Sequence, residues 1–120
     1  MNKKQMLGKW GEQQAVKYLE QHGYRLLHLN KRTSYGEVDM VVTDGEMAVF
    51  VEVKTRSSPS FGDPEISVDM RKRRHVMEAA SAIIQNNPDL GESWRIDVLS
   101  VEGSPEIGVT HIEWFQNAFS

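Results

Sequence analysis

Gly36-Glu37-Val38-Asp39-Met40-Val41-Val42-Thr43-Asp44-Gly45-Glu46-Met47-Ala48-Val49-Phe50-Val51-Glu52-Val53-Lys54 reads as two strands and a tight turn. Val38–Val42 and Val49–Val53 are apolar runs of strand length. Asp44-Gly45 between them is a strong two-residue hairpin signal. Strands are therefore predicted over 37–43 and 47–54. Each carries one acid among apolar neighbours, Asp39 in the first and Glu52 in the second. A buried carboxylate is costly unless something pairs with it. Two of them on adjacent strands point to a site for a divalent cation.

A two-residue loop at Asp44-Gly45 pairs Thr43 with Glu46. It places Asp39 opposite Phe50 and Glu37 opposite Glu52. Opposed residues share a sheet face, as do residues two apart on one strand. Glu37, Asp39, Glu52 and Lys54 then point the same way, with Asp39 and Glu52 roughly 7–8 Å apart as diagonal neighbours. The same register sets Glu37 against Glu52, a repulsion that a metal would relieve. Oxygen ligands of this kind suit Mg²⁺ or Mn²⁺. Lys54, one pleat beyond Glu52, is placed to neutralise charge on a phosphoryl oxygen. A Glu-x-Lys triplet alone reads as a surface pair; Asp39 and the turn favour a site.

Outward from the hairpin, a helix is predicted over about 4–21, with Asn2 and Gln5 as a capping box and Gly23 at its end. A short strand follows over 24–30. The stretch 56–66, rich in Ser, Pro and Gly, reads as a loop. A second helix spans 68–85, with Asp69 as N-cap and Asn86-Asn87-Pro88 as its stop. Strands over 94–101 and 108–115 flank a turn at Gly103-Ser104-Pro105. The order α-β-β-β-α-β-β predicts an α/β fold, a mixed sheet with helices packed on it.

A chain of 120 residues with 39% hydrophobic and 26% charged content fits one soluble globular domain spanning 1–120. With no cysteine, a disulfide framework and a thiolate metal site are excluded. No apolar run reaches membrane-spanning length and no signal-peptide pattern is legible, so a cytoplasmic protein without membrane association is expected. His22, His28, His75 and His111 lack ligand spacing. The net charge of −3 gives no global basic footprint. Basic residues gather instead at Lys31-Arg32, Lys54–Arg56 and Arg71–Arg74.

Both helices carry one charge on an otherwise apolar stripe. Gly8, Glu12, Ala15, Val16 and Leu19 share a face, so Glu12 is either a third acid aimed at the site or a boundary glutamate reaching solvent. Lys72 shares a stripe with Val76, Ala79, Ala80 and Ile83. Cations in a helix's first turns oppose its dipole, and a bound anion would resolve the conflict. Arg71, Arg73 and Arg74 individually read as a solvated face. Asp97 reads as a structural hydrogen-bond or ion-pair partner. Trp10, Trp94, Trp114 and Phe115 read as core. Tyr35 and Phe61, in loops beside the site, could stack on bases or simply anchor their loops.

Gly36-Glu37-Val38-Asp39 with Glu52-Val53-Lys54 resembles the PD-(D/E)XK nuclease signature, although no proline precedes Asp39. The element order is similar to the restriction-endonuclease-like core. More closely, the chain resembles the YraN family of small bacterial proteins. That likeness runs from Gly8-Lys9-Trp10-Gly11-Glu12 through Gly23-Tyr24, Asn30, Arg32, the signature, Lys54-Thr55-Arg56, Gly62, Lys72 and Arg95-Ile96-Asp97-Val98. It implies Asp39 and Glu52 as metal ligands, Lys54 as the catalytic lysine, and Glu12 as an acidic helper like that of Holliday-junction resolvases.

The expected activity is metal-dependent hydrolysis of phosphodiesters in nucleic acid, DNA rather than RNA, with branched DNA among the candidates. The expected metal ligands are Asp39, Glu52 and Glu37, the catalytic residues Lys54, Glu12 and Lys72, and the nucleic-acid contacts Arg32, Arg56 and Arg73. Resolvase-like relatives are dimers, so a homodimer is one expected assembly. The alternatives are a nucleic-acid-binding module without turnover, and an interaction protein using the 56–66 loop and Trp114-Phe115.

Overall fold

In the computed structural model the described residues are 1–58 and 70–119, with the side chain of Met70 excluded. The predicted loop over 56–66, Phe61, and the helix start at Val68 with its Asp69 cap fall wholly or largely outside them.

The chain runs α1 (Lys3–Gln21), β1 (Arg25–Thr33), β2 (Gly36–Thr43), β3 (Ala48–Arg56), α2 (Met70–Asn86), β4 (Trp94–Ser104) and β5 (Gly108–Phe115), with a short 3₁₀ turn at Pro88–Leu90. The predicted order holds. Asn2 Oδ1 accepts the Gln5 N–H at 2.8 Å and Gln5 Oε1 accepts the Asn2 N–H at 3.0 Å, which completes the capping box.

One sheet carries the five strands in the order β1-β2-β3-β4-β5. β3 and β4 are parallel and the other neighbours antiparallel. The parallel pair requires a crossover, which α2 provides. α1 covers one face: Ala15 and Leu19 pack on Met40, Val42, Val49, Val51, Leu99 and Val101. α2 covers the other: Val76, Ala79, Ala80 and Ile83 pack on Val41, Phe50, Ile96 and Val98. β3, sandwiched between both layers, is the near-continuous apolar strand that two-sided burial demands. The four aromatics expected in the core flank these clusters, Trp10 and Trp114 on the α1 side and Trp94 and Phe115 on the α2 side. No helix among the described residues is long and apolar enough to cross a membrane.

Two local expectations are corrected. The β2–β3 loop has four residues, because Thr43 pairs with Ala48, Val41 with Phe50 and Met40 with Val51. Side chains stabilise the wider turn. Asp44 Oδ1 accepts the N–H groups of Glu46 and Met47 at 2.9 and 3.0 Å, and Thr43 Oγ1 donates to the Met47 carbonyl at 2.9 Å. The register is therefore two residues from the expected one. A shift of two preserves the alternation of faces, whereas a shift of one would have reversed it. The second correction is at the β4–β5 connection. β4 continues through Gly103 and Ser104, which pair with Val109 and Gly108, so the turn lies over 105–107.

Candidate acidic active site

The β2–β3 ladder stops at Met40–Val51, although β2 continues to Gly36 alongside β1 and β3 continues to Arg56 alongside β4. The strands part at Asp39. Its Oδ2 accepts the Val53 N–H at 2.8 Å, so a side chain stands where a backbone carbonyl would have closed the next rung. Regular alternation also fails here, since Val38 and Val41 both lie in the α2-side core. The gap is a cleft of about 420 Å³, with Tyr35, Glu37, Asp39 and Glu52 on the sheet side and Lys72 and His75 on α2.

Glu52 is 3% exposed. Burial and then the neighbouring Asp39 push its carboxyl up to about 7. Burial likewise raises Asp39, while the Val53 N–H and the charges of Lys72 and Lys54 pull it down. The expected meeting of Asp39 with Glu52 is thus present, and it is paid for in desolvation. Lys72 Nζ lies 3.7 Å from Glu52 Oε2, so the stripe lysine of α2 does reach the site. Lys54 is half-buried and pulls on both carboxylates, but makes no hydrogen bond or ion pair among the described residues.

Glu37 does not face Glu52. Arg32 opposes it on β1 and binds its Oε2 at 3.2 Å, which removes the repulsion that the two-residue loop implied. Glu12 comes off α1 toward the same end of the sheet, and its carboxyl is raised by burial and then by Asp39. Asn30 joins the two acids. With its amide nitrogen turned toward them, it donates to Glu12 Oε2 and Glu37 Oε1, both at 3.1 Å. Asn30 sits at φ 53°, a left-handed conformation that Asn tolerates better than most residues. An asparagine between strand-like residues was the available signal, and sequence reasoning gave it no role.

The remaining candidates are more peripheral. Arg56 closes β3, beside Glu102 of β4. Arg73 lays its guanidinium over the Phe119 ring, 5.1 Å from the centroid, which ties the end of the chain to α2. Asp97 has the structural role expected of it. Its carboxylate is fully buried and accepts from Arg95, the Trp114 indole and the Asn117 N–H.

Among the described residues, no three acidic or histidine side chains are grouped so as to hold a metal ion. The chemistry of the pair still fits a hard cation. Both groups are oxygen donors, both are raised by burial, and a positive ion between them would favour their ionised forms. Mg²⁺ commonly takes one or two carboxylates and completes its shell with water and phosphate oxygens.

The sequence model of the uncharacterised protein family UPF0102 matches residues 11–101. A UPF0102 protein of Caldicellulosiruptor saccharolyticus is 40% identical, over 99% of this chain and 100% of its own. One of Geobacter metallireducens is 42% identical, over 94% of this chain and 91% of its own. Among solved structures, Pyrococcus furiosus SfsA in complex with Ca²⁺ aligns with 94% of this chain and 63% of its own, at 16% identity and a TM-score of 0.42. By sequence, the chain belongs to the uncharacterised protein family UPF0102.

Proposed function

We propose that the protein is a metal-dependent nuclease of the PD-(D/E)XK kind, with a restriction-endonuclease-like core, hydrolysing phosphodiesters in nucleic acid. One observation carries the reading. β2 and β3 part to bring Asp39 and Glu52 together in an open cleft, where both carboxylates are kept at a desolvation cost that folding alone does not require.

Asp39 and Glu52 would hold Mg²⁺ or Mn²⁺, which when bound supplies charge neutralisation and Lewis-acid polarisation at the scissile phosphate. Lys54, pointing from the strand that carries Glu52, offsets the negative charge that grows on the phosphoryl oxygens. Lys72 favours the ionised form of Glu52 and stands at the mouth of the cleft, where it can transfer to a phosphate. Glu12 sits behind Asp39 and keeps the local field negative, which favours cation capture. Arg32, Arg56 and Arg73 supply positive charge along the flanks, where a nucleic-acid backbone is held. Cytoplasmic DNA, branched forms included, is the proposed substrate.

A second reading is a binding module without turnover. The Lys72–Glu52 ion pair favours it, because an ammonium already neutralises one of the two carboxylates that a metal would need. Purified protein incubated with duplex, single-stranded and branched DNA, in Mg²⁺ or in Mn²⁺, separates the two. The nuclease reading expects product that Asp39→Ala and Glu52→Ala each abolish while both variants stay folded. Cleavage by either variant at the wild-type rate would refute the assignment.

A further inference from the structure

Tyr35 stands at the tip of the β1–β2 hairpin with 51% of its surface exposed. The tip is internally braced: Thr33 Oγ1 accepts the Tyr35 N–H at 3.1 Å and donates to the Gly36 carbonyl at 2.9 Å. The ring is therefore presented by a fixed turn. It forms part of the wall of the acidic cleft, across from Arg71 and His75 of α2. It also borders a second recess of about 230 Å³, whose other side is Ser81, Ala82 and Gln85 of the same helix. From Ala82 a third recess, of about 240 Å³, continues between Lys31 and Arg32 of β1 and Asn86 and Asn87.

The three recesses follow one line along α2. From His75 to Asn86 that line spans about 16 Å at the helical rise. Cations stand at both ends, with hydroxyl and amide groups between them. Over the three recesses Lys31, Arg32, Arg71 and Lys72 balance Glu37, Asp39, Glu52 and Glu78, with the acids gathered at the carboxylate pair and the far end basic at Lys31 and Arg32. Basic side chains spaced along a polar groove, with an aromatic platform between them, are the pattern that tracks a nucleic-acid strand without reading its sequence. A tyrosine ring can stack only on a base face, and a base offers its face only when it is out of a duplex stack.

We propose that the seam between the β1–β2 hairpin and α2 binds an unpaired nucleic-acid strand, with Tyr35 stacking on a base beside the carboxylate pair. The proposal rests on the nuclease reading of that pair and names its substrate class. A flap, a bubble, a junction arm or a single-stranded end would each present such a strand, in DNA or RNA.

Fluorescence anisotropy tests it, in Mg²⁺, with Asp39→Asn protein to prevent cleavage. The probes are a labelled single-stranded oligodeoxynucleotide, its RNA counterpart and the blunt DNA duplex of the same sequence. Adding Tyr35→Ala is expected to weaken single-strand binding about 10-fold, equivalent to about 1.4 kcal/mol. Tyr35→Phe is expected to keep it, and duplex binding is expected to be unchanged. The DNA and RNA arms report which strand is preferred. Equal loss on single strand and duplex, or none on either, would overturn the Tyr35 role while wild-type cleavage still upheld the nuclease reading. Absence of binding to every probe would overturn the groove, and absence of cleavage by wild-type protein would separately remove the reading beneath it.

Discussion

Lys72 Nζ and Glu52 Oε2, 3.7 Å apart, join the start of α2 to the acidic end of β3. The carboxylate is buried and the ammonium half exposed, so the two sides of this pair differ in consequence. Removing the lysine leaves Glu52 in a desolvated site where, among the causes that lower its carboxyl, Lys54 remains. In metal-free protein, Lys72→Ala is expected to destabilise by about 1 kcal/mol at pH 8, a value kept small for the lysine's exposure to solvent. At pH 5 Glu52 is protonated and the cost is expected to shrink to what Lys72 contributes beside Asp39. Urea unfolding at the two pH values measures it, and an equal loss at both would show that the lysine does not act through Glu52.

Glu52 itself sets a second pH dependence. Its carboxyl lies near 4.5 in the unfolded chain and is pushed up to about 7 in the fold, first by burial and then by Asp39. The native state therefore holds a proton that the unfolded state releases, and stability falls as pH rises from about 4.5 to about 7. Glu52→Gln removes this penalty. The variant is expected to be more stable than wild type at pH 8 in a chelator, by up to about 3 kcal/mol, and to match it near pH 4.5. Saturating Mg²⁺ is expected to stabilise wild type and narrow the gap. A variant less stable than wild type at pH 8 in the chelator would contradict this account of the site.

How far the sequence carried the reading turns on the same residues. Apolar runs and turn chemistry gave the elements in order. The two carboxylates were legible because an acid inside an apolar strand has few structural explanations. The register was not legible. Asp44-Gly45 signals a two-residue loop only when its own side chain is idle, and here Asp44 captures two backbone N–H groups and widens the turn. Asp39 and Glu52 still come together because an even shift keeps the alternation of faces as far as the Met40–Val51 pair. The parting of the strands at Asp39, the capture of Glu37 by Arg32 and the bridging amide of Asn30 depend on tertiary geometry that no local pattern encodes.

Asn30 is expected to matter through its donors. It gives one hydrogen to Glu12 and one to Glu37, two acids that would otherwise face each other across α1 and β2. Asn30→Asp keeps the shape and the tolerance for a left-handed φ, but replaces the donors with a third carboxylate. A loss of about 1–3 kcal/mol at pH 8, shrinking at low pH as Glu12, whose carboxyl is raised, takes up a proton, is expected from thermal melts. Asn30→Gly keeps the backbone conformation without the amide and should lose less, since it adds no charge. Equal melting of the aspartate variant and wild type at pH 8 would show that the bridge contributes nothing.

Gly11 governs how α1 delivers Glu12. A Cβ at this position would collide with the Oγ1 of Thr55 and come within 2.7 Å of its Cγ2 and 2.8 Å of its Cβ. Helix and strand therefore approach through a glycine, one residue before Glu12 and three after Glu52. Gly11→Ala must push α1 away from β3 or force Thr55 from its rotamer, at an expected cost of about 1–3 kcal/mol. Thr55→Ala removes two of the three clashing atoms but leaves the Cβ, so the double variant should recover part of that loss. A double-mutant cycle on urea unfolding gives the coupling, expected to be at least about 0.5 kcal/mol in the compensating direction. Additive effects would mean that the helix relaxes without meeting Thr55. In that case the placing of Glu12 would depend on Asn30 rather than on the helix–strand contact.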